Sequence, residues 1–124
     1  PTLTKHYGEK EMTILSVDEV REIAKAVYVS EINDYGESVL FHVGKRVEYL
    51  ARCGNSRGTI FIRQSVGDWD CKISDDWDIY LSTPTRDSFI EVVGNVSEYL
   101  AKLGYRVQHE TSCDKNRRVT VIRW

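Results

Sequence analysis

The fold of this chain is decided by residues 87–107, which have the sequence DSFIEVVGNVSEYLAKLGYRV. Apolar side chains recur from Phe89 to Leu103 at steps of three and four residues, which is the spacing of one face of an α-helix. Gly104 then stops the helix, because glycine readily adopts the left-handed backbone conformation that ends one. The stretch therefore predicts a helix over 87–103 that leads directly into a β-strand.

Gly94 and Asn95 interrupt this stretch and leave one alternative open. A strand over 89–93 could precede a shorter helix for which Asn95 is the N-cap. The apolar spacing continues without a break across the glycine, and we therefore favour a single helix.

Two further helices are predicted earlier in the chain. Ser16 and Glu19 have the spacing of a capping box, and the apolar face that follows predicts a helix over about 17–31. Residues 33–36, Asn-Asp-Tyr-Gly, favour a turn that ends this helix. A second apolar face then predicts another helix over about 37–52. The two faces consist of Val20, Ile23, Ala24 and Val27, and of Leu40, Val43, Val47 and Leu50.

Strands are predicted at 59–63, 69–73, 77–81, 105–110 and 119–124. The last strand is apolar on both faces, which favours a central position in its sheet. We expect an α+β fold, with a mostly antiparallel sheet of four to five strands and three helices packed on one face. Residues 1–13 are polar and without period, so we expect an N-terminal arm there, flexible or docked on a partner, before a single domain at 14–124.

Composition narrows the classes of function. The 124 residues carry a formal net charge of -2, from 17 Lys and Arg against 19 Asp and Glu. This balance gives no global case for nucleic acid or a membrane surface as partner, although a local basic face remains open. No apolar run could span a bilayer, and the first residues lack a signal-peptide pattern. Three widely spaced cysteines form no disulfide framework, so we expect reduced thiols in the cytoplasm.

The most unusual stretch is acidic and contains two tryptophans: Asp68, Trp69, Asp70, Asp75, Asp76, Trp77 and Asp78. Aspartates can bind hard cations, but the spacing is not that of a calcium-binding loop, and we assign no metal here. A solvated acidic face over buried tryptophans is the simplest interpretation. The alternative is a contact patch for a protein partner, because tryptophan is enriched at binding hot spots.

A basic group lies near the end of the sequence and consists of Arg106, Lys115, Arg117, Arg118 and Arg123. Phosphate binding is conceivable, but a solvated hairpin or a salt-bridge partner for the acidic stretch is the simpler interpretation. A second loose group contains Arg52, Arg57 and Arg63. Pairing of these basic groups with the acidic stretch between subunits would favour assembly over catalysis.

No catalytic or cofactor motif is present. The sequence has no phosphate loop, no dinucleotide-binding glycine pattern and no nucleophile elbow. A nucleophilic pair of Cys53 or Cys71 with His109 stays open, since sequence alone does not place them in space. We therefore assign no catalytic residue and no cofactor, and we expect a protein that is not an enzyme.

The final quarter of the chain resembles an ending found in small proteins of tailed bacteriophages. Its elements are a helix that ends in Leu103-Gly104-Tyr105, a strand with Val107, and a closing strand over 121–124, Val-Ile-Arg-Trp. The resemblance implies a phage-encoded structural or accessory protein that acts by binding, and it carries over no catalytic residue. The acidic tryptophan-rich stretch is not part of this pattern.

These observations lead to two expectations for function. The first is a non-enzymatic assembly protein of the virion, located in the particle or the host cytoplasm, with other virion proteins or itself as partner. The second is a small phage effector that inhibits a host enzyme or defence protein through an acidic surface that imitates nucleic acid. The surface expected to carry either role comprises Asp68, Trp69, Asp70, Asp75, Asp76, Trp77, Arg106, Arg117, Arg118 and Arg123.

Overall fold

A computed structural model describes residues 3–7, 10–111 and 117–124. Its elements, in chain order, are β1 Leu3–Tyr7, β2 Lys10–Ile14, α1 Val17–Arg52, β3 Thr59–Val66, β4 Asp70–Ile73, β5 Ile79–Thr83, α2 Arg86–Lys102, β6 Arg106–Thr111 and β7 Arg118–Arg123. Contacts divide the chain into two compact units, residues 1–31 and 32–124.

The first unit contains a hairpin and the beginning of α1. β1 and β2 pair antiparallel, from Leu3 opposite Ile14 to Tyr7 opposite Lys10. The sequence pattern had assigned no secondary structure to this stretch. Ser16 caps α1 as predicted, since its Oγ accepts a hydrogen bond from the Glu19 amide at 3.2 Å. The apolar face formed by Val20, Ile23, Ala24 and Val27 is exposed.

The helices predicted over 17–31 and 37–52 are one continuous helix, so the chain has two described helices and not three. Asn33 and Gly36 are poor helix formers, and this is why the sequence favoured a turn. The helix nevertheless continues through these residues, because Ile32, Gly36 and Val39 lie about one turn apart on the same buried face. Packing of that face outweighs the local preference.

The second unit contains a five-stranded sheet in the order β4-β5-β3-β7-β6. β7 lies between β3 and β6, which confirms the central position predicted for the last strand. The sheet is mixed, because β3 and β5 run parallel while the other three pairs are antiparallel. A parallel pair requires a crossover, and no local sequence pattern marks one.

One face of the sheet carries the core. Its strand residues are Ile60, Ile62, Ile79, Leu81 and Ile122, and they form a single cluster with residues of both helices: Ile32, Val39, Val43, Phe89, Val92, Val93, Val96 and Leu100. Strand residues alternate between faces, so Phe61, Arg63, Tyr80 and Arg123 lie on the opposite face. The second unit is thus an α+β structure with its helices on one face.

The ends of α2 agree with the sequence prediction to within a residue. The Thr85 hydroxyl accepts a hydrogen bond from the Ser88 amide, and the Ser88 hydroxyl accepts one from the Thr85 amide, both at 3.1 Å. At the other end Gly104 has a φ of 98°, and its amide donates to the Ala101 carbonyl. The helix also continues through Gly94, as the apolar spacing predicted.

No helix within residues 17–111, where the described helices lie, is long and apolar enough to cross a membrane.

Candidate interaction surface

A tight turn at residues 74–78 connects β4 to β5 and turns Trp77 outwards. The Trp77 amide donates to the Ser74 carbonyl at 3.0 Å, and the Ser74 amide donates to the Asp78 carbonyl at 3.0 Å. Ser74 Oγ also accepts a hydrogen bond from the Asp78 amide at 3.1 Å. Trp77 was predicted to begin a strand over 77–81, but the turn holds it and the strand begins at Ile79.

Trp77 has a φ of 66° and is the non-glycine residue with positive φ in the described part of the chain. This left-handed conformation brings the Cβ of an L-residue too close to the following carbonyl oxygen. It costs on the order of 1–3 kcal/mol and persists only where the surrounding structure enforces it. Such strain is concentrated at functional positions, which makes Trp77 a candidate for one.

The indole of Trp77 stacks on the ring of Tyr49 near the end of α1. The ring centroids are 6.2 Å apart and the planes differ by 12°. The guanidinium of Arg46 lies 4.9 Å from the Trp77 ring and 5.5 Å from the Tyr49 ring. Even so, 42% of Trp77 and 54% of Tyr49 remain exposed to solvent.

The exposed aromatic surface continues along α1. Phe41 and Lys45 precede Tyr49 at steps of four residues, which places all three on one helix face. Lys45 Nζ lies 5.3 Å from the Phe41 ring centroid, and Phe41 is 60% exposed. We call this surface the aromatic ridge; it consists of Phe41, Lys45, Arg46, Tyr49 and Trp77. Of these residues, sequence reasoning identified only Trp77, although the four-residue spacing of 41, 45 and 49 was available as a signal.

The other tryptophan of the predicted patch faces inwards. Trp69 stacks on Tyr35 with centroids 5.1 Å apart, and the Tyr35 hydroxyl donates to the Trp69 carbonyl at 3.1 Å. Both residues pack against the core. The structure therefore separates the two tryptophans, with Trp69 in a packing position and Trp77 at the surface.

The aspartates of the acidic stretch lie in different settings. Asp78 accepts a 2.6 Å hydrogen bond from Arg63 Nε and is mostly buried, while Asp70 pairs with Lys72 at 3.2 Å. Asp75 and Asp76 are exposed in the turn, and Asp68 is exposed before β4. Within the described ranges, no group of three or more His, Cys, Asp or Glu side chains could hold a metal ion.

The predicted basic group is also divided. Arg106 and Arg123 lie directly opposite each other on β6 and β7. Arg118 lies at the other end of β7, where its amide donates to Gln64 Oε1 at 3.1 Å. Its Nε is buried and has no hydrogen-bond partner in the described part of the chain. Arg117, half-buried, directly precedes β7, whereas Lys115 lies outside the described residues.

The structure separates one of the two cysteine–histidine pairs that the sequence left open. Cys71 on β4 and His109 on β6 lie at opposite edges of the sheet, four strand spacings or about 19 Å apart. His109 Nδ1 instead contacts Thr120 Oγ1 at 2.9 Å. Burial, and secondly the charge of Asp70, raise the pKa of the Cys71 thiol to about 11, which keeps it protonated. Cys53 is exposed after the end of α1.

Comparison of the chain with protein-family models, with curated proteins and with solved structures gave no match. The aromatic ridge is therefore interpreted from its own geometry.

Proposed function

We propose that this chain is a non-enzymatic interaction protein that binds a protein partner through the aromatic ridge. The observation that carries the proposal is the strained, exposed Trp77 stacked on Tyr49 and Arg46. Tryptophan, tyrosine and arginine are the residue types most enriched among binding hot spots. A patch that combines all three on the surface is therefore a good candidate for a binding site.

The rigidity of the ridge supports this role. Tyr49 and Arg46 belong to a continuous helix, and three hydrogen bonds fix the turn that presents Trp77. Side chains that are already ordered lose little conformational entropy when a partner binds. A requirement for the indole at this position in binding would explain why the backbone strain at Trp77 is retained.

The local charge favours a protein partner over a phosphate backbone at the ridge. Asp75 and Asp76 directly precede Trp77 and place negative charge beside it, while Lys45 and Arg46 place positive charge on the helix. A polar, solvent-accessible rim around an aromatic centre is typical of a protein interface. The resemblance of the chain's ending to tailed-phage proteins supports a second virion protein, or a second copy of the chain, as that partner.

The acidic-mimic alternative is less well supported. Two of the five aspartates, Asp70 and Asp78, are neutralised by Lys72 and Arg63. This leaves a smaller negative surface than the sequence suggests. Neutralising Asp68, Asp70, Asp75 and Asp76 together would abolish binding if the alternative holds. If the ridge is the site, it would only weaken binding, through loss of the two charges beside Trp77.

The test compares ridge variants with a matched aromatic control. Tyr49→Ala and Trp77→Gly should weaken binding of the captured partner at least thirtyfold, the size of a hot-spot loss. Tyr99→Ala is the control, because Tyr99 is also 54% exposed but lies on α2 outside the ridge. Binding is measured on purified partner after capture from phage particles or host lysate, and light scattering identifies self-association. Equal binding by all three variants would reject the ridge as the site.

A further inference from the structure

A shallow cleft of about 320 Å³ lies where β3, β6 and β7 meet, away from the aromatic ridge. It is lined by Arg57, Gly58, Thr59, Arg106, Arg123 and Trp124. Three of these six residues are arginines and none has an acidic side chain. Within the described ranges, no carboxylate forms an ion pair with any of the three guanidinium groups.

Two of the arginines face each other across neighbouring strands. Arg106 and Arg123 are direct partners in the register of β6 and β7, and Thr59 is the partner of Arg123 on the other side. Like charges directly opposite each other destabilise a sheet. Arg123 Nη1 donates a hydrogen bond to Gln108 Oε1 at 2.6 Å, and this acceptor carries no charge that could offset the repulsion. Within the described residues, no Asp or Glu side chain forms an ion pair that offsets this repulsion.

The backbone at Arg57, the third arginine, is placed at the cleft by the packing of the next residue, Gly58. Gly58 and Trp124 exchange backbone hydrogen bonds, at 3.4 Å and 3.3 Å. A Cβ atom at position 58 would overlap the indole of Trp124, so the glycine is needed for this close approach. The indole in turn packs edge-on against Tyr105, with centroids 6.0 Å apart. Arg57 is therefore attached to a fixed segment beside Arg123.

We infer that this cleft binds a phosphate monoester. A guanidinium group can donate two parallel N–H hydrogen bonds to the oxygens of a phosphate or a carboxylate. Three guanidinium groups offer more donors and more positive charge than one carboxylate can accept, so the larger and more highly charged phosphate is the better match. A phosphate monoester carries close to two negative charges at neutral pH, which suits the three positive charges. A terminal phosphate can belong to a mononucleotide or to the 5′ end of a nucleic-acid strand, and both offer the same chemistry.

The first test is thermal unfolding in chloride and in phosphate at equal ionic strength, at pH 7.5. Phosphate raises the Tm of folded proteins in general because it is excluded from their surface. A bound phosphate should add to this, so the gain in Tm should be larger for wild type than for Arg106→Gln. Arg106→Gln should have a higher Tm than wild type in chloride, since the like-charge pair is removed, and should gain less from phosphate. An equal gain in Tm for wild type and Arg106→Gln overturns the inference, as does a wild-type Tm that is the same in both salts or an Arg106→Gln Tm below wild type in chloride.

The second test measures affinity by calorimetry for inorganic phosphate, for 5′-AMP, and for a short single-stranded oligonucleotide with and without a 5′ phosphate. Arg57→Gln and Arg106→Gln should each weaken binding about tenfold, the loss of one charge-assisted hydrogen bond. Arg86→Gln is the control, because it removes the same charge from an exposed position on α2. The inference is overturned if Arg86→Gln weakens binding as much as the two cleft variants do. It is also overturned if the two oligonucleotides bind with equal affinity and AMP does not bind. Tighter binding of the phosphorylated oligonucleotide than of AMP identifies a strand end as the source, and the reverse order identifies a mononucleotide.

Discussion

Trp77 allows a direct test of backbone strain by comparison of two substitutions, Trp77→Ala and Trp77→Gly. Both remove the same contacts, namely the stack on Tyr49 and the contact with Arg46. They differ only in the Cβ atom at a φ of 66°. Alanine keeps a left-handed strain of about 1–2 kcal/mol, whereas glycine has none. Glycine loses about 0.5–1 kcal/mol through the greater freedom of the unfolded chain.

The expected net result is the difference between these two terms: Trp77→Gly should be more stable than Trp77→Ala by about 0–1.5 kcal/mol, with a central value of about 0.7 kcal/mol or roughly 2–4 °C in Tm. Urea unfolding followed by far-UV circular dichroism gives this difference. Glu37 is the control position, because it is exposed inside α1, and there alanine should exceed glycine by about 1 kcal/mol. If alanine is more stable than glycine at position 77, as it should be at position 37, the left-handed conformation is absent in solution and Trp77 is not a strained residue.

Further predictions concern two glycines and one thiol. Gly58→Ala should destabilise the protein by about 1–3 kcal/mol because its Cβ would overlap Trp124, whereas Gly44→Ala, with nothing within 4 Å, should stabilise α1 by about 1 kcal/mol. Urea unfolding measures both, and a shared sign would contradict the packing described. Cys71 should be alkylated far more slowly at pH 8 in the folded protein than in denaturant, because its pKa is raised to about 11 and its thiolate is scarce. Mass spectrometry of the peptides measures the two rates, and equal rates would refute the burial. Since the unfolded thiol ionises first, wild type should also lose stability relative to Cys71→Ser as pH rises from 9 towards 11.

The elements that local sequence determines were predictable. α2 begins near its Thr85 cap and ends at Gly104, and β7 has the doubly apolar pattern of the central strand that it is. These features depend on neighbouring residues along the chain. The unbroken α1 was missed because burial of Gly36 among the core residues outweighs its weak helix propensity, and propensity alone carries no information about burial.

The candidate site was harder to predict because it is formed by long-range contacts. Tyr49 and Trp77 meet only because α1 packs on the sheet beside the β4–β5 turn. The sequence predicts one patch with Trp69 and Trp77, whereas in the structure Trp69 stacks on Tyr35, is partly buried and packs against the core. The sequence does place Arg106 and Arg123 in one basic group, and the two are direct partners because a hairpin sets its register locally.

The position of β7 has a consequence for synthesis of the protein. Thr59 pairs with Arg123, so one edge of β3 has no partner strand until the residues of β7 have left the ribosome. During that interval an apolar strand edge is open to other chains, which is a hazard for aggregation. Folding of the second unit therefore depends on contacts distant in sequence, and such topologies fold slowly. Slow translation should lengthen this interval, and a holding chaperone that covers the open edge of β3 should reduce aggregation.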